Sequence, residues 1–314
     1  MKNVMILSAG TSTAWHIVKV LKENFSDDAY VVACDINPGY LIHSAVLADK
    51  FIQVPPIKSE GYYEHMLKIM DEEAINIVVP LIDDDICMFA GDNMDLAERG
   101  VRSSAPSRAA IDKCSNKAHL ERTLSELGVA TPRVFRKGEE IDMQRQYFLK
   151  DEIGCGSRGA RLVFGEEAMQ MLGVDGKVIQ EVCHGPEITV DATNLNGCIH
   201  CICRERKEVK LGVSTKCRVF YDEEIQRIME RIAAKITLPT VFCVQFMKNA
   251  EEKWTLIDFN LRSGGGTALS CAVGFEAVRY AAADWLGLEP DETWLSIPKT
   301  ERYVVRAYEE LVTR

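Results

Sequence analysis

The sequence predicts a mixed α/β protein in which an N-terminal parallel sheet leads into α+β lobes built from antiparallel strands, and three observations carry this. Over the first hundred residues, short apolar runs (residues 3–8, NVMILS; Tyr30 to Cys34; Ile75 to Val79) alternate with amphipathic segments such as the one bearing Trp15, Val18 and Leu21. Strands alternating with helices imply a parallel sheet with ligands at its carboxyl ends. Ser104-Ala105-Pro106-Ser107 interrupts that alternation. From Tyr147 onward, strand-like runs follow one another through short links, including the hairpin signal Asn194-Leu195-Asn196-Gly197.

Composition bounds the function. A chain of 314 residues that is 47% hydrophobic and 27% charged is ordinary for a globular protein of two or three lobes. Its 47 acidic and 37 basic residues give a net charge of −10, which argues against nucleic acid or an anionic membrane as partner. Eleven scattered cysteines, and an opening MKNVMILSAG without a signal-peptide pattern, lead us to expect a reduced, cytoplasmic setting. No run approaches the roughly 18 apolar residues of a membrane span.

In the N-terminal region, Ala9-Gly10-Thr11-Ser12-Thr13 is a small-residue turn between a strand and a helix. Asp35 lies where a ribose-binding acid of a dinucleotide site would sit, but residues 8–13 hold one glycine, so G-x-G-x-x-G is absent and NAD is disfavoured. Gly10 and Thr11 remain candidates for holding an anionic substrate at the helix N-terminus. Asp83, Asp84 and Asp85 read either as contacts to a cationic group or as acids favoured at a helix start. A helix from about Asp112 to Leu127, ended by Gly128 and Pro132, carries Lys113 and Lys117 four apart on one face.

The central region supplies further charge. A strand ends at Lys150, and glycines 154, 156 and 159 follow before another strand at 160–164. A Walker loop would lead into a helix and carry Gly-Lys-Ser/Thr, so that reading is rejected, yet a glycine-rich hairpin tip beside a lysine can cover phosphates. The strand KVIQE (177–181) passes through a short link to EITVDATN (187–194). Arg204, Arg206, Lys207, Lys210, Lys216 and Arg218 form a basic run that could bind a substrate carboxylate. Just before it, Cys198-Ile-His-Cys201-Ile-Cys203 invites a zinc reading, but strand alternation sets Cys198 and Cys201 on opposite faces, which favours structural cysteines.

Near the C-terminal end stands WTLIDFNLRSGGGT, residues 254–267. Alternation in a strand projects Asp258, Asn260 and, if the strand continues, Arg262 to one side, with Phe259 and Leu261 facing the other. Oxygen donors beside a guanidinium suit Mg²⁺ with bound phosphate. A solvated strand end explains the same pattern locally.

Taken in order, Lys113, Lys150, Gln180-Glu181, Glu187, Gln245, Asp258, Asn260 and Arg262 make the chain resemble the ATP-grasp superfamily, and within it the lineage of the carbamoyl phosphate synthase large subunit. The resemblance spans nearly the whole chain. It implies a pre-ATP-grasp, Rossmann-like domain at 1–106, a small lobe with a glycine-rich flap at 107–181, and a large lobe carrying the metal site at 182–314. It assigns Lys113 and Lys150 to ATP phosphates, Gly156 and Ser157 to the flap, Glu181 and Val182 to the hinge at the adenine edge, Glu187 to the ribose, and Gln180 to ATP binding beside the hinge. Gln245, Asp258 and Asn260 match ligands of Mg²⁺ (or Mn²⁺), and Arg262 the arginine facing the transferred phosphoryl group, with Lys150 also catalytic. Gly10, Thr11, Asp83, Asp85, Arg204, Lys216 and Gly265 are the candidate substrate contacts.

The implied activity is ADP-forming ligation of a small carboxylate to an amine through an acyl phosphate, with no nucleic acid or membrane partner and a homodimer left open. A small-molecule kinase and a non-catalytic nucleotide-binding regulator are the alternatives. The chain departs from the family at Asp258, where glutamate is usual, and at Leu261, where proline is usual.

Overall fold

The computed structural model describes residues 1–152, 160–210, 212–307 and 309–313. In chain order, the first hundred residues form β1 (Lys2–Ile6), α1 (Ser12–Asn24), β2 (Ala29–Asp35), β3 (Lys50–Gln53), α2 (Tyr62–Glu72), β4 (Ile77–Val79), α3 (Asp83–Met88), α4 (Met94–Glu98) and β5 (Arg102–Ser103). Their strands make one parallel sheet in the order β3-β2-β1-β4-β5. Thr11 starts α1 as its N-cap, the hydroxyl accepting from the Ala14 N–H at 3.1 Å.

The helix expected from Asp112 to Leu127 is two helices, α5 (Arg108–Ser115) and α6 (Lys117–Glu126). Asn116 breaks the run with an extended backbone (ψ 117°), and its side-chain oxygen accepts from the His119 N–H at 2.9 Å. An asparagine that caps the following helix competes with continuation of the preceding one.

A four-stranded sheet follows, from β6 (Val134–Phe135), β7 (Gln146–Asp151), β8 (Arg161–Phe164), α7 (Gly165–Met171) and β9 (Lys177–Gln180), in the order β6-β9-β7-β8. The remaining chain gives β10 (His184–Leu195), β11 (Cys198–Lys210), β12 (Val213–Phe220), α8 (Glu223–Ala233), β13 (Val241–Lys248), β14 (Trp254–Asn260), α9 (Thr267–Cys271), α10 (Ala277–Leu286), a 3₁₀ turn (Glu292–Trp294) and β15 (Arg302–Val305). Their six strands form an antiparallel sheet ordered β14-β13-β10-β11-β12-β15. The β10–β11 hairpin turns through Asn196 (φ 53°) and Gly197 (φ 87°), two successive left-handed residues as a type I′ turn requires.

Packing joins these layers. Helices α1 and α10 share a core with Val4, Ile6 and Val31 of the parallel sheet and with Ile202, Val219 and Val241 of the six-stranded sheet. The opposite face of the six-stranded sheet buries Val190, Phe242, Val244 and Phe259 against Ile225, Met229 and Ile232 of α8 and against Ile111, Leu120 and Leu124 of α5 and α6. Residues of α5 and α6 therefore pack on the large sheet, while α7 closes the core of the four-stranded one.

Candidate active site

Strand register assembles a polar surface on the six-stranded sheet. Thr189, Gln245 and Asp258 are cross-strand neighbours, and Asp191, Cys243 and Asn260 form the next row. Two-residue alternation puts both rows on one face, opposite the buried Phe259 and Leu261. Asp258 and Asn260 thus stand side by side, with Asn260 Nδ2 donating to Asp258 Oδ2 at 3.2 Å. Gln245 Nε2 donates to Glu187 Oε1 at 2.6 Å, and Arg206 also binds that carboxylate.

These contacts orient oxygen outward. Because each amide spends its NH₂ on a neighbouring carboxylate, Gln245 Oε1 and Asn260 Oδ1 remain as acceptors beside Asp258. An all-oxygen set of one carboxylate and two amides suits a hard divalent cation.

Lys150 reaches this surface from the four-stranded sheet. The β13–β14 ladder shifts register between Gln245 and Phe246, so Ile257 has no partner across the ladder, and its carbonyl accepts from Lys150 Nζ at 3.1 Å. Burial pushes the Lys150 ammonium down to about 8; Asp258 opposes the drop and Lys117 adds to it. A buried cation facing a carboxylate and a second lysine is arranged for an anion of more than one charge.

The two lysines expected on one helix face are placed differently. Lys113 is exposed on α5, whereas Lys117, one turn on, is 9% exposed and close enough to Lys150 for its charge to be felt there. The break at Asn116 accounts for this: it ends the helix that shared a face between the two lysines, and the Lys117 N–H donates to the Glu152 carbonyl at 3.2 Å. The sequence carried both lysines, with no local sign of which turned inward.

Gln180 is buried at the end of β9, and Glu181 and Val182 line a cleft of about 470 Å³ with Arg133, Tyr147, Phe164 and His184. Gly156 and Ser157, with the rest of 153–159, lie outside the described residues. Arg262 follows β14; its Nη1 donates to the Ser263 carbonyl at 3.0 Å, and its buried Nε has no hydrogen-bond partner among the described residues.

The candidate substrate residues are placed differently. Arg204 is buried, paired with Asp191 at 3.1 Å and donating to Ser214, so it supports the sheet. A Cβ on Gly266 would collide with its guanidinium, which explains glycine there. Lys216 is exposed and paired with Glu208, and the rest of the basic run is likewise met by Glu187, Glu205, Glu208 and Glu301. Thr11 caps α1, and the Gly10 N–H donates to Asp35 at 2.7 Å, which gives Asp35 a structural task. Asp85 accepts from Ser8 at 2.9 Å, and burial raises its carboxyl to about 6; Asp83 opens α3. Gly265 lies against Ser12 of α1, and its carbonyl accepts from Arg306 at 2.8 Å, a contact from the C-terminal strand region that sequence reasoning missed.

Residues 4–103 match the family model described as PylC-like, N-terminal domain, and residues 175–310 match ATP-grasp in the biosynthetic pathway with Ter operon. Among solved structures, L-amino acid ligase from Bacillus licheniformis superposes with TM-score 0.73 at 14% identity, covering 95% of this chain and 78% of that one. The chain has the ATP-grasp fold. N5-carboxyaminoimidazole ribonucleotide synthetase from Thermus thermophilus gives TM-score 0.71 at 15% identity, covering 96% of this chain and 82% of the other. The biotin carboxylase domain of Hydrogenobacter thermophilus 2-oxoglutarate carboxylase, in complex with MgADP, ADP and bicarbonate, gives 0.72 at 15% identity, covering 91% and 70%. Comparison with curated protein sequences gives no match. Among the described residues, no helix is long and apolar enough to cross a membrane.

Proposed function

We propose that the chain is an ATP-dependent, ADP-forming ligase that joins a small carboxylate to an amine through an acyl phosphate. The observation that carries this reading is the meeting of Lys150, from one sheet, with Ile257 and Asp258 of another, on which Asn260, Gln245 and Glu187 are joined to one another or to Asp258 by hydrogen bonds. The ligases and carboxylase among its structural neighbours support the same reaction class.

In this reading ATP lies between the two sheets. The domains are 1–106, 107–181 and 182–314, although α5 and α6 rest on the large sheet. Glu181 and Val182 take the adenine edge and Glu187 the ribose, held in place by Arg206 and Gln245. Lys150 and Lys117 contact phosphate. Asp258, Asn260 and Gln245 hold Mg²⁺, which neutralises charge on the transferred phosphoryl group when bound. Asp258 is one methylene shorter than the usual glutamate, and the amide oxygens of its two neighbours complete an oxygen set around it. Arg262, just after β14, faces the transferred phosphoryl group in this reading. Attack by the substrate carboxylate on the γ-phosphorus breaks the bond to ADP; the amine then displaces phosphate from the acyl phosphate.

The test is ADP release across a matrix of carboxylates and amines with Mg²⁺, with hydroxylamine added to trap the acyl phosphate. Amine-dependent ADP release with an amide or hydroxamate product is expected. A stable phosphorylated product, or nucleotide binding without turnover across the matrix, would overturn ligation. Arg262→Ala should lower turnover by about 10²-fold or more while nucleotide affinity changes little, as expected when a lost contact matters chiefly in the transition state.

A further inference from the structure

We infer that Cys198, His200 and Glu292 form a second metal site, remote in chemistry from the oxygen-lined one, that takes Zn²⁺ or a similar thiophilic divalent ion. Among the described residues they are a group of three potential ligands whose donor atoms all lie within 4.8 Å of one another. Cys198 Sγ is 3.4 Å from His200 Nε2, and His200 Nε2 is 4.0 Å from Glu292 Oε1. With bonds of about 2.3 Å to sulfur and about 2.0–2.2 Å to nitrogen and oxygen, a tetrahedral Zn²⁺ sets these separations at about 3.6 and about 3.4 Å. The first pair is already within a few tenths of an ångström, and the second needs only a small rotation of the exposed Glu292.

Two braced elements bring the three together. The type I′ turn at Asn196–Gly197 starts β11 at Cys198, and alternation places His200 on the same face, opposite Thr193. Cys201 points to the other side, into the core against α8, so the ligand pair is Cys198 with His200 and the cysteine pair suggested by spacing is not used. Glu292 opens the 3₁₀ turn, which Asp291 caps through the Thr293 N–H at 2.8 Å. Trp294 ties the turn down, packed edge-on against Phe25 and covered by Arg279.

Donor type separates this site from the other. A thiolate and an imidazole select Zn²⁺ or Co²⁺, whereas carboxylate and amide oxygens suit Mg²⁺. Three protein ligands leave a fourth position for water, and the exposure of Cys198 and Glu292 gives the ion a route in. Coordination displaces the thiol proton, so affinity rises with pH. The ion would link the β10–β11 turn to the segment between α10 and β15.

The full chain, reduced and stripped with EDTA, would be titrated with Zn²⁺ against a chromophoric chelator and with Co²⁺ by absorption. One Zn²⁺ per chain is expected, bound at least tenfold more weakly by Cys198→Ser and by Glu292→Gln, with Asp258→Asn unchanged. The Co²⁺ complex should show a thiolate charge-transfer band that Cys198→Ser removes, and Zn²⁺ should raise the thermal midpoint of the parent but not of that variant. Both substituted residues are exposed, so folding should survive, and circular dichroism checks it. Persistence of the Co²⁺ band in Cys198→Ser, or a change below twofold in both variants, would overturn the assignment.

Discussion

Asp191 and Asp258 project from the same face of the six-stranded sheet, yet one is scaffold and the other lines a small cavity with Asn260 and Asp83. Asp191 is wholly buried and its two oxygens accept from Arg204, from Thr267 at 2.7 Å and from Ser270 at 2.5 Å. Asp258 is half-buried, and its hydrogen bond among the described residues comes from Asn260 at 3.2 Å. The first carboxylate has its lone pairs filled by protein and ties α9 to β10 and β11. The second keeps acceptor capacity for something outside the chain. Saturation of a buried acid marks structure, and an acid left partly unsaturated beside a buried lysine marks a candidate for function.

The sharpest way to break this contrast is to remove each acid in turn. Asp191→Ala leaves the Arg204 charge buried without its partner and should cost about 3–5 kcal/mol in denaturant unfolding. Asp258→Asn should change stability by less than about 1 kcal/mol while Mg²⁺-dependent turnover falls at least tenfold. Equal destabilisation by both would erase the distinction.

The two lysines of the α5–α6 region offer a second comparison. Lys117→Met should weaken ADP binding by about tenfold, the order of one charge-assisted contact. Lys113→Met, on an exposed surface, should leave it within twofold by calorimetry; the reverse pattern would restore Lys113 to the phosphate site.

A smaller effect follows from Lys150. Burial holds its ammonium at about 8, so the free protein loses this positive charge as pH rises through that value, and nucleotide affinity should fall above pH 8. Lys150→Arg keeps its charge throughout and should flatten the profile, which binding measurements across pH 7 to 9.5 would reveal.

Much of the site was legible because alternation is a local property. Trp254 to Asn260 reads as a strand, and period two alone puts Asp258 and Asn260 on one side and Phe259 on the other. The strand and helix alternation before Ser104 and the Asn196–Gly197 turn are local in the same sense. Charge by itself does not place a residue: Arg204 and Lys216 belong to one basic run, but one is buried against Asp191 and the other sits at the surface with Glu208. Composition does not say which acids will cross the sheet to meet a base.

By itself, then, the sequence determined which faces each strand presents and which residue types lie on them, since backbone geometry repeats every two residues whatever packs nearby. Only the tertiary structure decided that Lys117 turns inward, that the register shift at Ile257 offers its carbonyl to Lys150, and that Glu292 meets Cys198 and His200. Each of those joins segments distant along the chain, and such contacts depend on how whole layers bury their apolar faces, which no local pattern encodes.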